Sequence, residues 1–380
     1  MSLRLVTTVL AGSAVLAAAC VSVSAQTVHT SGDTRFSVTQ VVGDLSYPWG
    51  FDILPDGSFL VNEAEGRMLI VSPDGDSRIE VAGVPEVRAS GQGGLLDVVA
   101  APDFDDTRTI YFTFSEPGPG GTGTAAARAR LVVTDGAAQL EDVKVLVSMN
   151  RKTSGGRHFG SRIVPAPDRT LFVTLGDRGQ QDRAQDPQDH AGSVLRIAAD
   201  GSIPPDNPFA RSGEALPEIW SIGHRNIQGA AIEPKTGRLW IVEHGARGGD
   251  EINIPEAGKN YGWPVISYGR HYSGLRIGVG TEAEGYEQPV YYWDPSIAPS
   301  GMAFYTGDAV PEWRGNLFVG ALKDQLISRL AVADGKIVTE DWLLAGEYGR
   351  IRTLRNGPDG ALWFSTDEGE GGIYRISGAP

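Results

Sequence analysis

The sequence predicts an all-β fold: a six-bladed β-propeller built of four-stranded antiparallel blades. Three observations predict it. A strand–turn–strand pattern recurs six times. Its copies begin 45 to 72 residues apart. No long segment sustains a helical period of apolar residues. The copies are "GFDILPDGSFLVNEAEG" from Gly50, "LLDVVAAPDFDDTRTIYFTFSE" from Leu95, "GSRIVPAPDRTLFVTLGDRG" from Gly160, "GAAIEPKTGRLWIVEHG" from Gly229, "GMAFYTGDAVPEWRGNLFVGAL" from Gly301 and "IRTLRNGPDGALWFSTDEG" from Ile351. In each, alternating apolar residues flank a turn rich in Pro, Asp or Gly, which is the signature of a β-hairpin. Repeats of this length imply radial or linear stacking of one supersecondary unit, and each unit has room for four strands. A ring leaves only short, protected edges. The N-terminal sequence is then expected to complete the blade formed by "GALWFSTDEGEGGIYRI". A turn-rich sandwich is the competing arrangement.

The first 25 residues read separately. Arg4 precedes the apolar run "LVTTVLAGSAVLAAACV", and "SVSA" leads to Gln26. A charged start, an apolar middle and small residues before a cleavage point describe an export signal, cut after Ala25. The competing readings are a membrane anchor, for which the run is marginally short, and a lipoprotein signal at Cys20. Residues 26–380 are then one domain without cysteine, since Cys20 is the only one in the chain. An exported chain of this kind is held by its core or by metals rather than by disulfides. The net charge is −14, or −15 once Arg4 is removed. That balance argues against nucleic acid and against anionic membrane surfaces as partners, and no membrane insertion of the mature chain is expected.

The repeats also map a site. The loops after each second strand are "NEAEG", "SEPG", "LGDRGQ", "EHGARGGDE", "ALKDQ" and "STDEG". On a ring they gather at one mouth of the channel, where a functional cavity is expected. His158 and His224 stand at the same point before the third and fourth hairpins. No HExxH or HxH spacing supports zinc, no GxSxG supports a nucleophile elbow, and no Gly-rich fingerprint sits between a strand and a helix. A redox cofactor here is therefore not a Rossmann-bound nicotinamide.

"GQGGLLDVVAAPDF", "RHFGSR", "SIGHRNIQG", "EHGARGGDEINIPEAGKNYGWP", "GALKDQ" and "GRIRTLRNGPDG" occur in this order. The chain resembles, over nearly all of its mature length, the soluble quinoprotein sugar dehydrogenases, specifically the aldose sugar dehydrogenases that use pyrroloquinoline quinone (PQQ). The resemblance implies a periplasmic enzyme. It would oxidise the C1 hydroxyl of an aldose to a lactone by hydride transfer to the quinone, with electrons leaving to an external acceptor. It implies that His158 is the general base. Gln92, Arg225, Asn226 and Tyr272 would contact the quinone, and Lys323, Arg350 and Arg352 would bind its carboxylates. It also implies two Ca²⁺ sites. The carbonyls of Gly245 and Ala246 would hold a catalytic ion, and Glu251 and Tyr261, the latter through its carbonyl, a structural one. Such oxygen ligands suit a hard cation.

Three departures bear on the substrate. Arg157 stands where the soluble glucose dehydrogenases carry an acid that orients the histidine. Arg178 replaces a glutamine near the sugar, and Ala246 replaces a proline. The first two put glucose preference in doubt. The alternatives are a sorbosone-type sugar aldehyde dehydrogenase of the same fold, a calcium-dependent propeller lactonase, and a non-catalytic propeller that kept only the scaffold.

Overall fold

The structure is a computed structural model that describes residues 26–379; the expected export signal lies outside the described residues. Each of the six hairpins forms where the alternation placed it. Their first strands are Pro48–Ile53, Leu95–Ala100, Ile163–Pro165, Ile227–Ile232, Pro299–Phe304 and Ile351–Asn356. Each pairs antiparallel with the strand that follows its turn, and third and fourth strands extend each sheet outward. Three sheets have four strands. An eight-stranded sheet consists of two antiparallel halves of four, joined by a short parallel pairing of Val81 and Ala82 with Ala138 and Gln139.

The last sheet is completed from the other end of the chain. Thr34–Leu45 pairs antiparallel with Gly371–Gly378, and Thr27–Ser31 adds an outer strand. The six first strands touch their neighbours in chain order, and Ile351–Asn356 touches Pro48–Ile53, so the ring closes. Strand alternation sends one set of side chains toward each neighbouring sheet. Between the last two sheets, Phe36, Trp313, Phe318 and Phe364 are buried together. Burying each aromatic contributes about 1.5–3 kcal/mol. Glycine is the third residue of three first strands, at Gly50, Gly229 and Gly301, because the strands approach closely around the axis. A β-carbon on Gly50 would lie 2.6 Å from the Leu96 carbonyl oxygen, and one on Gly229 would lie 2.3 Å from that of Ser300.

A buried ion network fastens the first strands to one another. Arg162, 1% exposed, donates to Asp97 at 3.1 Å, the Thr353 hydroxyl at 2.9 Å, the Arg352 carbonyl at 3.0 Å and the Gln228 carbonyl at 2.7 Å. Its guanidinium lies 4.3 Å from the Trp49 ring. Arg355 reaches the same Asp97 at 2.8 Å. Burial lowers the Arg162 pKa to about 10, against the opposing pull of Asp97, so the group stays charged. Among the described residues no helix is long and apolar enough to cross a membrane.

Candidate active site

Two histidines are delivered in the same way. Each precedes a first strand, and an acid follows the paired second strand 19 residues later. His158 Nδ1 lies 2.6 Å from Asp177, and His224 Nδ1 lies 2.8 Å from Glu243. The outcomes differ. His224 is fully buried and its Nε2 is taken by Ser221 at 2.9 Å. His158 borders a cavity of about 800 Å³ that it shares with Arg225, Gly245, Ala246, Tyr272 and Lys323. With Nδ1–H donated to Asp177, its Nε2 is the nitrogen available to that cavity.

The His158 backbone is held in the left-handed region, φ 54°, which is unfavourable for a residue with a β-carbon. Gln92 stabilises it by accepting the His158 N–H at 2.7 Å. Asp177 is itself fixed by Gly179 N–H at 2.6 Å and Trp263 Nε1–H at 2.9 Å. Burial lowers the His158 pKa and Arg225 and Arg157 add to this, opposed by the bond to Asp177. Burial alone would raise the Asp177 pKa, but the bonds from His158 and Gly179 and the charge of Arg225 hold it below the usual carboxylate range. The pair is a neutral imidazole backed by a carboxylate, which is the arrangement of a general base.

Arg225 is buried over the Trp263 ring at 5.3 Å and donates to the His244 carbonyl at 3.2 Å. The Tyr272 hydroxyl bonds to it from the cavity rim. Arg225 Nε has no partner among the described residues although it is buried. Asn226 sits behind the base, its side-chain oxygen accepting Gly160 N–H at 3.1 Å. His244 donates Nε2–H to the Pro299 carbonyl at 2.6 Å.

A second cavity, of about 680 Å³, adjoins the first through Gln92, His244 and Ala298 and is lined by Arg350, Arg352 and Asp367. Arg352 donates to Asp367 at 2.5 Å and to Gln228 at 3.0 Å, and Arg350 donates to Asp367 at 3.4 Å. The two arginines thus share a face, and Asp367 offsets one of their charges. Buried Arg352 Nε has no partner among the described residues. Lys323 borders the first cavity and donates to the Ser296 carbonyl at 2.7 Å and to Asp324 at 2.9 Å.

The glycine-rich loop after the fourth hairpin is shaped by Asp250. One of its oxygens accepts Gly245 N–H at 2.8 Å, and the other accepts the Ser296 hydroxyl and two backbone N–H groups. Among the described residues the Gly245 and Ala246 carbonyls are not acceptors in the turn and loop hydrogen bonds, although Ala246 is bridged to Gly248. Both residues border the His158 cavity, so hard oxygen donors are placed where a cation would meet a ligand. Glu251 lies opposite Glu243 in the strand register. Burial and the Glu243 charge raise its pKa, and its one side-chain partner is Asn253. Tyr261 stacks on His224, which bonds to Glu243. Its hydroxyl is engaged with the Ile254 carbonyl at 2.5 Å. Two acids facing each other in this way, Glu243 buried and Glu251 half-buried, suit a bound cation. Among the described residues no cluster of three or more His, Cys or acidic side chains could hold a metal. Any ion here would rely on backbone or ligand oxygens.

The sequence pattern described as glucose/sorbosone dehydrogenase matches residues 45–375. The chain belongs to the glucose/sorbosone dehydrogenase family. It is 43% identical over 337 residues to the aldose sugar dehydrogenase YliI of Escherichia coli, covering 88% of this chain and 90% of that one. The apo-form structure of the soluble aldose sugar dehydrogenase from E. coli superposes with a TM-score of 0.87 at 42% identity, covering 90% of this chain and 100% of that one. The PQQ-bound aldose sugar dehydrogenase of Streptomyces coelicolor superposes with a TM-score of 0.75 at 29% identity, over 90% and 98% of the two chains. The resemblance read from the motifs is therefore real.

Against that family, two of the departures acquire a physical reading. The acid that orients His158 is not missing. Asp177 supplies it from across the hairpin, so the carboxylate partner of His158 does not depend on position 157. Arg178 is 1% exposed, stacks on Phe159 at 3.4 Å, and donates to the carbonyls of Gly155 and Arg157. It braces the loop that carries His158 and does not line the cavity. Asp177 and Asp367 are the site residues that sequence reasoning missed. The equal 19-residue spacing of the two histidine–acid pairs was the available signal for Asp177. None marked Asp367.

Proposed function

We propose that this protein is a periplasmic aldose sugar dehydrogenase on a six-bladed propeller, dependent on PQQ and Ca²⁺. The six closed-ring first strands support the blade count, with the eight-stranded sheet taken as two blades. The observation that carries the activity is the His158–Asp177 pair at 2.6 Å, facing a cavity continuous with the Arg350–Arg352 pair. His158 Nε2 takes the proton of the aldose C1 hydroxyl. Asp177 stabilises the imidazolium that results, and Trp263 and Gly179 hold Asp177 in place. Arg225 keeps the resting imidazole neutral and has an unpaired donor to offer an oxygen at the reacting end. Arg350, Arg352 and Lys323 are suited to the carboxylates of the cofactor, since planar guanidinium forks match carboxylates. Gln92 orients His158 through its backbone, and Tyr272 closes the rim. When bound, PQQ supplies the two-electron acceptor for the C1 hydride and Ca²⁺ the Lewis acid that polarises it. Gly245 and Ala246 would hold that ion, and Glu251 and Tyr261 the structural one. Export through residues 1–25 would put the enzyme in the periplasm, where an external acceptor removes the electrons.

A quinone titration of sugar-oxidising activity tests this reading. One charge-assisted hydrogen bond is worth about 1.5–3 kcal/mol, so Arg352→Ala should raise the half-saturating PQQ concentration by roughly one to two decades. Saturated turnover should change less. Superimposable curves would refute the assignment, and activity on lactones without any quinone would make the protein a lactonase.

A further inference from the structure

Three arginines stand abreast at the lip of the His158 cavity. Arg247 and Arg270 exchange backbone hydrogen bonds, Arg247 N–H to the Arg270 carbonyl at 2.9 Å and the reverse at 3.1 Å. Arg270 is in turn paired antiparallel with Arg276 across a small hairpin. Residues directly opposite in antiparallel pairs project to the same side, with β-carbons about 4.5–5.5 Å apart, and like charges so placed are destabilising. All three side chains are exposed. None is in an ion pair among the described residues, although the chain carries 47 acids, Glu282 and Glu284 of the same loop among them. Arg247 and Arg270 border the cavity and Arg276 lies outside it, its guanidinium over Gly280. Beside the row, Leu275 is 69% and Val279 60% exposed.

A row of unpaired cations running outward from the site, flanked by exposed apolar residues, does not fit one small substrate anion. It fits a protein surface of opposite charge with an apolar centre, laid across the mouth. We infer that this row is the docking surface for an acidic redox protein that collects the electrons of the reaction; the inference rests on the dehydrogenase reading. Oxidation of the aldose to the lactone releases two electrons and two protons. Two molecules of a one-electron acceptor, such as a c-type cytochrome, are reduced per lactone formed, and the protons leave to solvent. In a chain of net charge −14 the mean field repels an acidic partner. The local row overrides that field at short range and confines the encounter to the mouth of the site.

The test uses the protein loaded with PQQ and Ca²⁺ and whichever of D-glucose, D-galactose and D-xylose the wild type oxidises fastest. Three acceptors are compared: an acidic c-type cytochrome, a basic one and an uncharged benzoquinone. Wild type should reduce the acidic cytochrome faster than the basic one, with a rate that falls as salt screens the row. Arg276→Ser, outside the cavity, should lower the second-order rate for the acidic cytochrome by about threefold or more, within the range of electrostatic steering, and flatten its salt dependence. The benzoquinone rate should stay within about twofold. Arg276→Glu should act in the same direction. Equal rates for both cytochromes, or an unchanged rate in the variants, would overturn the inference. So would a benzoquinone rate that falls in step. If wild type reduces no benzoquinone with any aldose, the dehydrogenase reading itself has failed and the inference falls with it.

Discussion

Replacing His158 by Gln isolates the chemistry from the scaffold. The glutamine amide can still donate to Asp177, as Nδ1–H does at 2.6 Å, and the backbone bond to Gln92 does not depend on the side chain. Folding should therefore survive. What disappears is the basic nitrogen at the cavity; His244, the other histidine lining it, is a poor replacement because burial pushes its pKa down to about 3. Asp177 is occupied by donors from His158, Gly179 and Trp263. His224 has both nitrogens engaged, and Arg225 is a cation. A positioned base contributes about 10²- to 10⁴-fold, or roughly 3–5 kcal/mol at about 1.4 kcal/mol per decade. The expectation is a fall in turnover of that size, measured by sugar-dependent dye reduction at saturating PQQ and Ca²⁺. The PQQ concentration for half-saturation should be nearly unchanged, because His158 does not face the Arg350–Arg352 pair. Turnover within a few-fold of wild type would refute the assignment of the base.

Three further outcomes follow from the geometry. With His158 as the proposed base, activity would require it neutral, and its pKa lies below the usual 6.5 because of burial. The pH profile of kcat/KM should therefore hold as pH falls through 6.5 and decline only at more acidic values; a midpoint above 6.5 would contradict the burial argument. A Ca²⁺ ion held by the folded state alone would stabilise it, so on the proposed reading chelation should lower both melting temperature and turnover, and Glu251→Gln should remove most of the thermal effect. Unchanged melting and turnover after exhaustive chelation would make the loop at 243–253 only a loop. Arg162→Met leaves buried Asp97 with Arg355 as its remaining cation, so urea unfolding should show a loss of about 3 kcal/mol, near the lower end for breaking a buried pair.

What was legible in the sequence was what is local. A hairpin is written in a dozen contiguous residues, so all six were placed, and the glycines near their starts reflect close strand packing around the axis. Closure by Thr34–Leu45 could be anticipated because the last sheet lacked a fourth strand. The site was legible only where side chains lie on recognisable motifs. Asp177 was missed because an acid was sought beside His158 in sequence, whereas the hairpin brings it from 19 residues away. The burial of Arg162 and Arg178 was not legible, since nothing in sequence distinguishes a buried arginine from a solvated one; Arg178, expected near the sugar, is packed on Phe159 instead. Their burial depends on contacts from several strands at once, with Asp97, Thr353 and Gln228 meeting a single guanidinium. Asp367 is hidden for the same reason, its partners lying 15 and 17 residues away on the neighbouring strand's start.

The central claim is that the His158 cavity and the Arg350–Arg352 cavity form one quinone-dependent sugar-oxidising site. The most direct measurement is an absorbance spectrum of the protein reconstituted with PQQ and Ca²⁺, recorded before and after adding aldose in the absence of an electron acceptor. The account predicts that aldose converts the spectrum of the oxidised cofactor to that of the reduced one, and that the conversion fails without Ca²⁺ and is strongly slowed in His158→Gln. A cofactor spectrum that no aldose changes, in protein shown to have bound PQQ, would contradict it.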